Sequence, residues 1–278
     1  MKEKNSYFQK LKKALSLELR EHRSSFAVYW ILRLLVLIIA GIQIYYRNYE
    51  HLFFCILTLI LLLVPSFVQL TFKIELPSTL EIILLMFIFA AEILGELGNF
   101  YLIFPFWDTM LHTMNGFLAA AIGFSLVTLL NKSEAIQFEL SPLFTAIVAF
   151  SFSMTIGVIW EFFEFSMDSF FGMDTQKDTI ITAFNTVALN TNGTVTSFKD
   201  IQNIVIDGVA LPIQGYIDIG LIDTMEDLFV NFIGAVVFST FGFFYIKYKG
   251  NIKLVKRFVP TKKAKEKDYL QLVDQETE

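Results

Sequence analysis

Apolar residues run along this chain in long blocks separated by short polar punctuation, and the length of the blocks is its first informative property. A helix crosses a bilayer core with about 20 predominantly apolar residues. Six windows reach that length: 26 to 46, 52 to 72, 79 to 99, 109 to 130, 143 to 168 and 224 to 246. Pro65 interrupts the second, and the breaker LPST at 76 to 79 precedes the third. The pattern predicts an all-α polytopic membrane protein with six transmembrane helices. Helices one to five occupy 26–170 and the sixth 223–246.

The polar segments complete the organisation. Residues 1–25, MKEKNSYFQKLKKALSLELREHRSS, end without a small-residue cleavage site and so do not form a secretory signal peptide. Leu11, Leu15 and Leu19 share one face flanked by lysines. That fits either an amphipathic helix over 7–22 on the membrane surface or a solvated charged arm. The connection 171–222 is the one sizeable extramembrane segment. Its alternating stretches TVTSF and NIVIDG, with Asn192-Gly193 as a hairpin turn, predict a small external β-containing insertion. The tail 247–278 reads as a basic juxtamembrane segment fading into disorder.

Composition supports the membrane reading, since 55% of residues are hydrophobic. The net charge of -5 conceals an asymmetry. Lys2, Lys4, Lys10, Lys12, Lys13, Arg20 and Arg23 crowd the arm, and nine more basic residues follow Tyr245. The positive-inside rule therefore places both termini in the cytoplasm, with Lys73 and Lys132 in inner loops. The connection NFYLIFPFW, with no basic residue, falls outside, as does 171–222, where two lysines face five aspartates. There is no basic footprint for nucleic acid. Cys55, the single cysteine, lies in an apolar run and excludes a disulfide framework or a thiolate metal site.

The candidate chemistry lies in polar residues repeated at helical spacing inside four windows. Glu92, Glu96 and Asn99 stand at i, i+4, i+7; Asp108, His112 and Asn115 at i, i+4, i+7; Glu161, Glu164 and Asp168 at i, i+3, i+7; and Asp223, Asp227 and Asn231 at i, i+4, i+8. With the orientation above, all four stripes fall in the outer half of the membrane. Ionisable groups there face a bundle interior or a water-filled cavity. No Lys or Arg occurs between Lys73 and Lys132, or between Lys132 and Lys177. Shared protons, water or a bound cation must then balance the charge. A divalent metal suits a ligand set of carboxylates with one imidazole, drawn from Asp108, His112, Glu161, Glu164 and Asp227. Glu92, Glu96, Asn115, Asp168, Asp223 and Asn231 would support it. Interfacial or helix-capping roles compete for Glu92, Asp108, Asp168 and Asp223.

The succession DTMLHTMNGF, WEFFE and DLFVNFIGAVV resembles the VanZ-like membrane proteins. The run from Glu92 to Gly234, including GYIDIGLIDTMEDL, resembles the YjdF-type bacterial inner-membrane family over roughly residues 80 to 245. The resemblance implies a bacterial plasma-membrane protein and picks out Asp108, His112, Glu161, Asp227, Asn231 and Gly234. Thr109 and Glu164 depart from the VanZ-like pattern, which has a lysine and a glutamine there, and both departures make the site more negative. Two function classes follow. One is an envelope protein that acts on or holds a lipid-linked amphiphile through its metal site, with Glu161 or Glu164 as general base. The other is a cation or proton-coupled transporter. A membrane scaffold or sensor is the third, non-catalytic possibility.

Overall fold

The computed structural model describes residues 7–131, 140–248 and 256–277, so Lys2, Lys4 and Lys132 of the charge argument lie outside the described residues. The chain forms two units, one of Met1–Met154 with Asn231–Glu278, the other of Thr155–Val230.

In the first unit the arm is helical, α1 (Tyr7–Glu18), and α2 (Arg23–Tyr46) follows. Arg47 takes a left-handed conformation, φ 57°, which ends α2. Asn48 then caps α3 (Tyr49–Leu61), its side chain accepting from the His51 N–H at 3.1 Å. Pro65 has no N–H for the Leu61 carbonyl, so the helix is interrupted and resumes as α4 (Val64–Phe72). Strand β1 (Ile74–Glu75) follows.

The third window departs from expectation. It begins as α5 (Ser78–Phe89) and continues as a π-helix, Ala90–Leu97. Gly98 and a left-handed, exposed Asn99 close it, so Asn99 leaves the stripe with Glu92 and Glu96. A π-helix turns more slowly than an α-helix, and such insertions mark functional sites more often than plain spans. Among the described residues, five helical stretches are long and apolar enough to cross a membrane: Arg23–Tyr46, Tyr49–Phe72, Trp107–Thr128, Pro142–Phe171 and Leu221–Lys247. The broken third window is not one of them. The connection after it, expected as a loop, contains a short helix, α6 (Phe100–Ile103).

Next come α7 (Trp107–Asn131) and α8 (Pro142–Phe171), whose first half belongs to this unit, as does most of α9 (Leu221–Lys247). Small residues let the helices approach closely. Ala120, Ala121, Ala149 and Ala235 are fully buried around Phe124 and Phe238. At the crossing of α7 and α9 a Cβ on Gly116 would stand 2.0 Å from the Asn231 carbonyl oxygen, and one on Gly234 would stand 2.0 Å from that of Thr113. The two backbones touch there.

The tail is ordered where it is described, contrary to expectation. Strand β8 (Thr261–Lys262) pairs antiparallel with β1, and α10 (Tyr269–Thr277) packs on α1. Phe258 stacks edge-on against Phe117 at 5.3 Å, and Val259 joins the alanine-lined core. Opposite charges separated by most of the chain hold this together: Lys10 to Asp274 at 2.8 Å, Lys73 to Asp268 at 2.7 Å, and Lys267 to Glu21 and Glu75 at 2.7 and 2.8 Å.

The second unit comprises the end of α8, the start of α9 and three hairpins between them. These pair β2 (Ile180–Ile181) with β7 (Tyr216–Ile217), β3 (Phe184–Thr186) with β4 (Thr196–Phe198), and β5 (Val205–Ile206) with β6 (Val209–Ala210). The insertion between α8 and α9 is β-containing, as expected. The tight turn lies elsewhere: Asp207 and Gly208, φ 51° and 82°, make the two-residue link between β5 and β6, whereas Asn192-Gly193 sits inside the longer β3–β4 connection. Positive φ at both central positions is the mirror-image turn that matches strand twist. Gly208→Ala should therefore weaken this hairpin by about 1 kcal/mol, seen as faster amide exchange at Ile206 and Val209 with exchange in α9 unchanged.

Candidate functional site

Within the second unit, α8 and α9 bring three carboxylates together. Glu161, Glu164 and Asp227 each offer an oxygen, and these oxygens all lie within 4.8 Å of one another. Glu161 and Asp227 are 4% and 3% exposed. The i, i+3 spacing on α8 puts Glu161 and Glu164 on one face, and Asp227 reaches them from α9. Two ligands of one ion, bonded at about 2.0–2.6 Å, stand no more than about 4–5 Å apart. The trio therefore has the separation that a shared divalent cation requires. Neither α8 nor the second unit's part of α9 contains a Lys or Arg, so repulsion among ionised carboxylates has no cationic relief on these helices.

Asp108 and His112 form a pair one turn apart on α7 in the first unit. His112 Nε2 lies 3.5 Å from Asp108 Oδ1, with the imidazole buried. One turn further, Asn115 Nδ2 donates to Asn231 Oδ1 at 2.9 Å, and Asn231 Nδ2 points to Met154 Sδ at 3.5 Å. Asn231 is fully buried. These two asparagines thus fasten α7 to α9 beside the glycine crossing. Glu92 is buried in the π-helix and Glu96 half-buried.

Asp168 and Asp223 have other work. Asp168 Oδ1 accepts from the Thr175 N–H at 2.6 Å, and its Oδ2 accepts from the Gln176 N–H at 2.8 Å. Thr175 Oγ1 lies 2.6 Å from Asp168 Oδ1 and 3.0 Å from the Glu164 carbonyl, with one proton to share between them. Asp223 Oδ2 accepts from the Lys177 N–H at 2.8 Å. Asp218, missed from sequence, accepts from Thr179 N–H and, as a helix cap, from Ile222 N–H, both at 2.7 Å. The Gln176 amide donates to Thr224 Oγ1. A strap over 175–179 is thereby tied across the end of α8 and the start of α9, two turns beyond Glu161 and one turn before Asp227.

A second polar cluster, in the first unit, went unread in the sequence. Glu18, Gln69, Glu81 and Lys263 are all buried. Gln69 donates to Glu81 at 3.3 Å and accepts from the Leu76 N–H at 2.8 Å, while Lys263 donates to Glu18. Glu81 stands in the first turn of α5, just after the breaker LPST, and Lys263 lies in a tail expected to fade into disorder.

Long apolar helices with acidic and imidazole side chains buried in their interior define a polytopic helical membrane protein with a polar interior. It belongs to the family described as predicted membrane protein (DUF2238), whose model matches residues 26–248. No curated protein and no solved structure matches the chain.

Proposed function

We propose that this protein is a six-span envelope protein that binds a divalent metal at Glu161, Glu164 and Asp227 and acts on, or holds, an amphiphile of the outer leaflet. The observation that carries the reading is the convergence of the three carboxylate oxygens within 4.8 Å. Asp108 and His112, on α7 of the first unit, pair a further carboxylate with an imidazole. The hard oxygens of the triad suit Mg, Mn or Zn.

An even number of spans is favoured by the docking of the tail on the arm, because five crossings would set those segments on opposite sides of the bilayer. The π-helical third window is then the sixth crossing, and the basic flanks put both ends in the cytoplasm of a bacterial plasma membrane. The triad would then face outward. The resemblance to VanZ-like and YjdF-type proteins supports an envelope amphiphile as the molecule handled. A bound divalent ion would supply Lewis acidity toward a phosphoryl or ester oxygen and make a nearby water more acidic. Glu161 or Glu164 would take that water's proton as general base.

Purified protein should carry about one divalent ion per chain by elemental analysis, and Glu161→Gln should weaken its binding by at least about 10-fold. Protein devoid of Mg, Mn, Zn and Ca after metal-supplemented growth would sink the reading. A second reading, cation or proton-coupled transport, gains support from the buried Glu81 and Gln69 of the first unit. Proteoliposomes with a metal- or proton-driven flux that collapses in Glu161→Gln would establish it instead.

A further inference from the structure

The docked tail rests on a buried cluster whose charges do not balance. Glu18 on α1, Glu81 on α5 and Lys263, next to β8, are 3%, 5% and 7% exposed. Lys263 donates to Glu18, and its ammonium lies 5.2 Å from the centre of the Tyr269 ring. Two carboxylates against one ammonium leave a net charge of -1 in a region with almost no solvent. Burying such a charge is costly, and the group's usual response is to take up a proton.

The charged groups around this pair are Glu21, Glu75, Lys267 and His22. Glu21, the remaining acid beside Glu18, is held by Lys267 and by the Tyr269 hydroxyl. Glu75 is held by the same Lys267. His22 stands 3.7 Å from Glu75 and lies within electrostatic reach of Glu81 as well. Lys267 already serves two acids, so Glu18 and Glu81, the two buried ones, have only the ammonium of Lys263 between them.

We propose that the tail is a proton-holding latch: seating Lys263 beside Glu18 and Glu81 traps one proton on the carboxylate pair, so the tail docks more tightly as pH falls. Burial accordingly pushes Glu18 up to about 7 from its ordinary 4.5, against the pull of Lys263 and with a further push from Glu81. A carboxyl raised in the docked state binds its proton more tightly there than in the undocked state. This contribution to docking is fully present below about 4.5 and is lost as pH rises through 7, while the tail's other ion pairs hold across that range. Release would also withdraw Phe258 from Phe117 on α7.

The test is hydrogen exchange of residues 258–277 in the full chain, in nanodiscs, corrected for the intrinsic pH dependence of exchange. Between pH 5.5 and 8.5 the wild-type tail should open about 30-fold more readily. Glu18→Gln and Glu81→Gln each leave one acid opposite Lys263, so in either variant the dependence should vanish while the tail stays docked. Lys263→Met leaves two acids and no cation and should steepen it. A flat wild-type profile, or a slope that survives both glutamine variants, overturns the latch. Because two independent variants report the same charge count, misfolding of one leaves the other to decide.

Discussion

Gly234→Ala should destabilise the protein by about 3 kcal/mol, near the upper end for adding one buried methyl group. The size follows from what the methyl meets. It would stand 2.0 Å from the Thr113 carbonyl oxygen and 2.9 Å from the Phe117 nitrogen, both backbone atoms that no rotamer change can move. The helices α7 and α9 would have to separate, stretching the Asn115–Asn231 bond one turn away. Gly116→Ala, facing the Asn231 carbonyl, should behave alike. Gly41 in α2 is the control, since a Cβ there meets nothing within 4 Å. Its alanine variant should be neutral or gain a few tenths of a kcal/mol from helix propensity. Thermal unfolding in detergent decides this, and equal melting of the Gly234→Ala and Gly41→Ala proteins would refute the backbone crossing.

The second large effect is expected at Asp168. Asp168→Ala removes the acceptor of two backbone amides and a hydroxyl, and Thr175 and Gln176, whose amides it holds, are each 8% exposed. Hydrogen bonds to a charged group contribute about 1.5–3 kcal/mol, and a buried amide left without an acceptor carries its own penalty. A loss of about 3 kcal/mol or more should appear first as protease cleavage between residues 172 and 182. Asp168→Asn keeps one acceptor oxygen and should lose roughly half as much. Unchanged cleavage in Asp168→Ala would mean that the strap holds without this carboxylate.

These cases also show which features the sequence could express. The length of apolar runs located the long helices, because bilayer thickness imposes it on residues adjacent in the chain. The carboxylate trio was legible for the same reason: Glu161 and Glu164 share a face by spacing alone, and Asp227 repeats the pattern on a neighbouring helix. The π-helix was hidden because AAEILGEL has the composition of an ordinary α-helix and differs only in where its amides bond. Asp168 and Asp223 were legible as polar but not as ties for the strap, since that depends on the path of a loop. The tail failed for a different reason. Lys263 meets Glu18 across 245 positions, and no local pattern records so distant a partner.

The β1–β8 pairing also orders events in time. Strand β1 precedes α5 in the chain, whereas β8 follows α9. A ribosome delivering the chain to the membrane therefore releases the first strand long before the second, and Glu18, Glu21 and Glu75 must wait in contact with water until their lysines arrive. Closure of this small sheet can occur only after the last long helix has been synthesised. Docking of the tail is thus a final assembly step, and a protease that clips an undocked tail would single out chains whose insertion had stalled.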